Sequence, residues 1–209
     1  MNQDTSDLKR DEESSVDALT FDTPPNRLTV LRMVAVPGVV YFLSWRTFNG
    51  DLSACVLFSL AAITDWFDGY LARAYKAVTI FGKLMDPLAD KFLVVATLIM
   101  LQHLGRIHPY LVMVLICREM GITSLRALAS AEGVIIAAGK GGKYKAALQM
   151  VAIPFLLLQI SLFGIVSSDA VGTVLMYISV ALSLSSASTY VVDFFRGLKE
   201  KLKNKQQKS

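Results

Sequence analysis

The chain has 209 residues, of which 54% are hydrophobic and 18% charged, with a formal net charge of +4. That charged share lies below the roughly one quarter of an ordinary soluble domain. With a mean hydropathy of +0.49, it excludes a typical soluble enzyme or a disordered chain and points to one membrane-embedded domain. Two cysteines, Cys55 and Cys117, both in apolar stretches, exclude a disulfide framework and a cysteine metal site, and read as small hydrophobes.

Residues 1–25 form an acid-rich arm carrying Asp4, Asp7, Asp11, Glu12, Glu13, Asp17 and Asp22. No positive segment leads into a cleavable apolar core, and transit peptides are poor in acids, so neither targeting signal is expected. The arm reads as a flexible cytoplasmic extension, and Pro24-Pro25 is expected to break any helix ahead of the membrane. Six apolar segments follow, each long enough to span a bilayer. They run from about Leu28 to Trp45, Leu52 to Tyr75, Phe81 to Leu104, Pro109 to Ala129, Lys143 to Ile165 and Ala170 to Phe195. Continuous apolar runs without alternation argue for helices and against a barrel. The expected fold is therefore all-α: a polytopic six-helix membrane domain over 26–196, followed by a basic tail over 197–209.

Basic residues set the orientation. Lys9, Arg10, Arg27, Arg73, Lys76, Lys83, Lys140, Lys143, Lys145 and the tail fall on one side, against Arg46 and Arg106 on the other. Both termini are expected to be cytoplasmic, and the positive balance reads as topology, with no nucleic acid as partner. The tail lysines lie just past the last span. There they serve as a positive-inside anchor or feel anionic lipid, at roughly 1 kcal/mol per basic residue near the surface.

Residues 65–90 are the unusual stretch. They place Asp65, Asp68, Asp86 and Asp90 between apolar flanks. An ionisable residue in such a segment is costly and marks a functional site. Asp65 and Asp68 are three apart, and Asp86 and Asp90 four apart, so on helices each pair shares a face. A chain reversal between Arg73 and Gly82 would turn the pairs toward each other. The resulting all-oxygen cage suits Mg²⁺ or Mn²⁺. Such a cage binds a diphosphate, and one carboxylate takes a proton from an attacking hydroxyl. The residues thus point to metal-dependent group transfer at the cytoplasmic face. A small metal-ion transporter is the alternative from another class, although it predicts carboxylates near mid-bilayer. Gly69, Ala72 and Gly82 fit close approach of a ligand or close helix packing equally well.

The stretch resembles the signature of the CDP-alcohol phosphatidyltransferases, D-x2-D-G-x2-A-R-x8-G-x3-D-x3-D. Asp65, Asp68, Gly69, Ala72, Arg73, Gly82, Asp86 and Asp90 fill all eight positions. The resemblance implies a multi-pass enzyme of the inner (plasma) membrane with a cytoplasm-facing active site and two divalent cations. It implies that Asp65, Asp68 and Asp86 are metal ligands and that Asp90 is the catalytic base and a further ligand. It places Asp65, Gly69, Ala72, Arg73 and Gly82 at the CDP-diacylglycerol site, with Asn26 and Thr29. It also implies a homodimer.

Pro25-Asn26-Arg27-Leu28-Thr29-Val30-Leu31-Arg32 resembles the P-N-x-[LI]-T-x-x-R stretch of the family's bacterial branch that uses glycerol 3-phosphate. Arg118-Glu119, Ser124-Leu125-Arg126, Gly142-Lys143-Tyr144-Lys145 and Gln149-Met150 resemble a second region of the same branch, with Cys117 and Ala146 as departures from the usual Ala and Thr. The resemblance spans about residues 24 to 155. It implies that Arg118, Arg126, Lys143 and Lys145 bind the phosphate of glycerol 3-phosphate, a dianion that an all-carboxylate cage alone would not favour. An ion pair of Arg118 with Glu119, and plain topology for Lys143 and Lys145, are the competing readings. Inositol phosphate, phosphatidylglycerol or serine are the alternative acceptors within the family.

Overall fold

The computed structural model describes residues 24–75, 80–133, 140–162 and 166–207, with side chains described at 30–64, 89, 91–133, 142, 144–161, 166–201 and 203. Six helices make up nearly all of the described chain: α1 (Pro24–Ser44), α2 (Phe48–Tyr75), α3 (Ile80–His103), α4 (Pro109–Ala131), α5 (Lys140–Leu158) and α6 (Ser168–Gln207). The all-helical expectation holds. The acidic arm before Pro24 lies outside the described residues. Two compact units divide at Met100 and Leu101.

In the first unit α1 and α2 form a packed hairpin. Pro24 and Pro25 open α1 instead of standing apart from it. Proline is tolerated in a first turn, where its missing N–H has no helical partner to lose. The turn is three residues long, and Arg46 takes a left-handed φ of 52°. Thr47 then caps α2, with its side-chain oxygen accepting from the Gly50 N–H at 3.2 Å. Ala35, Val39 and Leu43 of α1, and Ala54, Phe58 and Ala61 of α2, are buried. Their three- and four-residue spacing forms one stripe on each helix. On α3, Ala89, Leu93 and Thr97 repeat the same buried stripe. The Thr97 hydroxyl donates to the Leu93 carbonyl at 2.8 Å, so burial leaves no orphaned donor.

In the second unit α6 packs along α5 and against α4. Helix α3 ends on Gly105, with φ 74°. The Arg106 N–H donates to the Leu101 carbonyl and the Gly105 N–H to the Gln102 carbonyl, both at 2.9 Å, closing a glycine C-cap. Pro109 starts α4 at its first helical position. The Arg106 guanidinium donates at 2.9 Å to the Leu157 carbonyl, one of the acceptors left over at the end of α5.

Helices α1, α2 and α5 start three or four residues ahead of the expected segments, and the ends of the last two helices differ more. The fifth apolar segment was expected to stay helical to Ile165, but α5 ends at Leu158. Gln159 turns the chain with a φ of 44°. A two-residue antiparallel ladder follows, pairing Ser161 with Ser167 and Leu162 with Val166. Ser168 locks it: its N–H donates to the Ile160 carbonyl at 2.8 Å, and its hydroxyl accepts from the Ile160 N–H at 2.9 Å. The sixth segment was expected to end near Phe195, but α6 continues to Gln207. At about 1.5 Å rise per residue, Lys203 stands about 12 Å along the axis beyond Phe195.

Among the described residues one helix, Ser168–Lys201, is long and apolar enough to cross a membrane, and four shorter stretches in α1, α2, α3 and α5 are apolar over 10–17 residues.

In the second unit α5 and α6 approach closely at Gly172, where an added Cβ would lie 2.7 Å from Leu156 Cγ and 3.0 Å from the Ala152 carbonyl oxygen and the Leu156 nitrogen. Two backbone atoms cannot step aside. Gly172→Ala should therefore cost about 1–3 kcal/mol, lowering the melting temperature in detergent by about 2–9 °C. Gly121→Ala, which meets nothing within 4 Å, should leave it unchanged or slightly raised.

Candidate active site

All eight signature positions are helical. Asp65, Asp68, Gly69, Ala72 and Arg73 occupy the last three turns of α2, and Gly82, Asp86 and Asp90 the first three turns of α3. Each aspartate pair is therefore one helical turn apart on one face, as the spacing predicts. The connection at 76–79, where the reversal was expected, lies outside the described residues. So do the side chains of these eight residues and of Asn26, Thr29 and Lys143. The donor set fits a hard divalent cation on chemistry: four carboxylates, on paired one-turn spacings, with no nitrogen or sulfur ligand among them.

Immediately before Asp65, Thr64 returns its hydroxyl to its own helix, donating to the Leu60 and Ala61 carbonyls at 2.9 Å each. Thr64 also closes an apolar groove of about 420 Å³ between α1 and α2, with Ala35, Gly38, Leu60 and Ala61 in its walls. Arg32 and Thr64 are the polar residues in its otherwise apolar lining, and Thr64 adjoins the first aspartate.

The second unit carries the cations that the sequence assigned to an acceptor phosphate, and the structure sorts them. Arg118 Nη1 donates to Glu119 Oε1 at 2.7 Å, and Lys145 Nζ donates to the same oxygen. Arg118 Nε also donates to the Ser183 carbonyl at 3.0 Å, and the Ser179 hydroxyl donates to the Lys145 carbonyl at 3.3 Å. The side chains of Arg118, Lys145 and Glu119 are only 10%, 5% and 23% exposed. The ion pair of Arg118 with Glu119 is present, and it is one half of a three-residue cluster that joins α4, α5 and α6.

Arg126 is not brought to this cluster. It lies two turns further along α4, exposed, with its guanidinium carbon 5.5 Å from the centre of the Tyr190 ring. Lys143 precedes Lys145 by two residues in α5, a spacing that does not share a helix face. The expected set of four thus divides, with Arg118 and Lys145 together and Arg126 apart.

Sequence reasoning gave Glu119 no role beyond a partner for Arg118, and missed Ser179, Ser183 and Tyr190. The two serines are four apart on α6 and both fully buried, and that spacing was the available signal. The Ser183 hydroxyl has no hydrogen-bond partner among the described residues.

Removing one member of a buried ion pair strands the other, at about 3–5 kcal/mol, whereas an exposed cation–π contact contributes about 0.5–1 kcal/mol. Lys145→Ala should therefore lower the melting temperature by several times the shift seen in Arg126→Ala. Equal shifts would show that the cluster is solvated and weak.

Residues 22–185 match the family model for CDP-alcohol phosphatidyltransferase. Relatives include a CDP-diacylglycerol–glycerol-3-phosphate 3-phosphatidyltransferase of Cereibacter sphaeroides, 42% identical over 64% of this chain and 62% of that protein. The chain therefore spans somewhat under two thirds of that relative's length. A protein of the same name from Rickettsia typhi is 34% identical over 79% of this chain and 93% of its own. Another from Bacillus subtilis is 39% identical over 68% and 80% respectively. The complete signature on the ends of α2 and α3, and a match over most of the chain, lead to one conclusion: the chain belongs to the CDP-alcohol phosphatidyltransferase family.

Proposed function

We propose that the protein transfers the phosphatidyl group from CDP-diacylglycerol to sn-glycerol 3-phosphate, giving phosphatidylglycerol phosphate and CMP, in phospholipid biosynthesis. The observation that carries this reading is the similarity, at 34–42% identity, to relatives bearing the name of that activity. It removes the transporter alternative, and it favours glycerol 3-phosphate over inositol phosphate, phosphatidylglycerol or serine.

Asp65, Asp68, Asp86 and Asp90 hold two divalent cations, Mg²⁺ or Mn²⁺. When bound, such ions neutralise a diphosphate and stabilise the charge of the leaving phosphate. Asp65, Gly69, Ala72, Arg73 and Gly82, with Asn26 and Thr29, bind the CDP-diacylglycerol headgroup. The small residues let the nucleotide approach the backbone, and Arg73 meets phosphate through its planar fork. Asp90 takes the proton from the attacking hydroxyl. The hydroxyl oxygen forms a bond to the phosphorus that bears the diacylglycerol, the bond from that phosphorus to the bridging oxygen breaks, and CMP leaves. Arg118 and Lys145, which the structure brings together on Glu119, take the acceptor's phosphate and position it for attack, so positioning does most of the work; Arg126, two turns away on the Tyr190 ring, is left out of that set.

The enzyme acts as a homodimer in the inner membrane. Its six helices are multi-pass, both termini and the active site face the cytoplasm, and the lipid donor arrives sideways through the bilayer. Exposed apolar residues along the helices support this, among them Val34, Leu60, Ile99, Met113, Val151 and Val174. So do the ring contacts of Tyr41, Phe42 and Trp45 at the end of α1 remote from Asn26, where an interfacial aromatic belt belongs.

The test is CMP release by purified protein in mixed micelles with CDP-diacylglycerol and Mg²⁺, offered glycerol 3-phosphate, inositol 1-phosphate, serine or phosphatidylglycerol. Turnover is expected with glycerol 3-phosphate alone, abolished by a chelator and reduced at least about a hundredfold in Asp90→Asn. Turnover with a different acceptor would overturn the acceptor assignment, and activity that survives the chelator would overturn the metal assignment.

A further inference from the structure

We propose that Glu119 is a positioning residue for the acceptor phosphate: it holds Lys145 and Arg118 at one place so that ammonium and guanidinium meet the phosphate together. The inference rests on the reading that these two cations take that phosphate.

A single atom carries the arrangement. Glu119 Oε1 accepts from Arg118 on its own helix α4 and from Lys145 on α5. Arg118 Nε is fixed in turn by the Ser183 carbonyl of α6. With Nε and Nη1 held on one side, Arg118 Nη2 makes no hydrogen bond among the described residues, and three of the five guanidinium N–H donors are still available to an anion. The Ser183 hydroxyl, on the residue whose carbonyl holds Arg118 Nε, is buried and without a partner among the described residues. Among the described residues two cations stand against one carboxylate, and that net positive balance is what a phosphate site needs.

The sign of the effect separates positioning from simple field strength. A carboxylate beside two cations weakens their field, so on charge alone its removal would tighten phosphate binding. The burial argues the reverse. Lys145 is only 5% exposed, and an ammonium at that depth is kept there by a counter-charge. Without Glu119 the two cations repel and are no longer drawn to one point, so the paired donors separate before phosphate arrives. Glu119→Gln keeps the shape and removes the charge, so it isolates this effect.

The experiment measures KM and kcat for both substrates in the full-length protein, for Glu119→Gln, Glu119→Asp and Lys145→Gln, with a melting temperature for each. Glu119→Gln should raise the KM for glycerol 3-phosphate about tenfold or more, while the KM for CDP-diacylglycerol changes less than about twofold. Glu119→Asp, which retains the charge on a shorter arm, should fall between, and carries the same comparison if Glu119→Gln does not fold. An unchanged or lowered KM for glycerol 3-phosphate in Glu119→Gln, with Lys145→Gln raising it, would overturn the positioning role alone. No rise in either variant would overturn the assignment of the cations as well. A loss of kcat and melting temperature with both KM values unchanged would show a purely structural tie.

Discussion

A charge set among apolar helices must be answered by another charge, and that constraint shapes both halves of this protein. In the second unit it is answered internally: Glu119 is shared between Arg118 of α4 and Lys145 of α5, and Arg118 reaches α6 through the Ser183 carbonyl. In the first unit four aspartates stand on two consecutive helices. Charges of one sign at that spacing repel unless a cation holds them. The cationic cluster is held together from within, whereas the four aspartates are the residues to which the proposed function assigns the divalent cations.

The division fits a transferase with two unlike substrates. A diphosphate donor calls for metal-held oxygens and small residues that admit a nucleotide. A phosphate-bearing acceptor calls for fixed cationic donors. Arg126, stacked on Tyr190, shows how differently a cation behaves once it is exposed: a ring face suffices where Lys145 needs a counter-ion.

The helical architecture was legible because apolar runs, prolines and glycines agree. Pro109 and Gly105 mark the α3–α4 junction in the sequence and in the structure alike. The signature was legible because its spacing matches one helical turn in each pair. The end of α5 was not legible. The apolar run continues past Leu158, and a left-handed Gln159 with a capping Ser168 stops the helix, which composition does not reveal. The continuation of α6 was hidden for the opposite reason: a charged tail looks like a terminus, yet Lys and Glu are good helix formers. Lys201 is tied to Glu132 at the end of α4, 3.1 Å from its Oε2. Glu119 was visible as a neighbour of Arg118, but its second partner lies 26 residues away, and only the packing of α4 against its neighbours brings Lys145 to it.

The central claim is that the acceptor's hydroxyl attacks the phosphorus bearing the lipid. Its most direct test uses sn-glycerol 3-phosphate labelled with ¹⁸O at the 1-hydroxyl, incubated with CDP-diacylglycerol, Mg²⁺ and purified protein, and followed by mass spectrometry of both products. The account predicts that the label appears in phosphatidylglycerol phosphate and that CMP is unlabelled. Label in a cytidine-containing product, or a lipid product without it, would contradict phosphatidyl transfer by this enzyme.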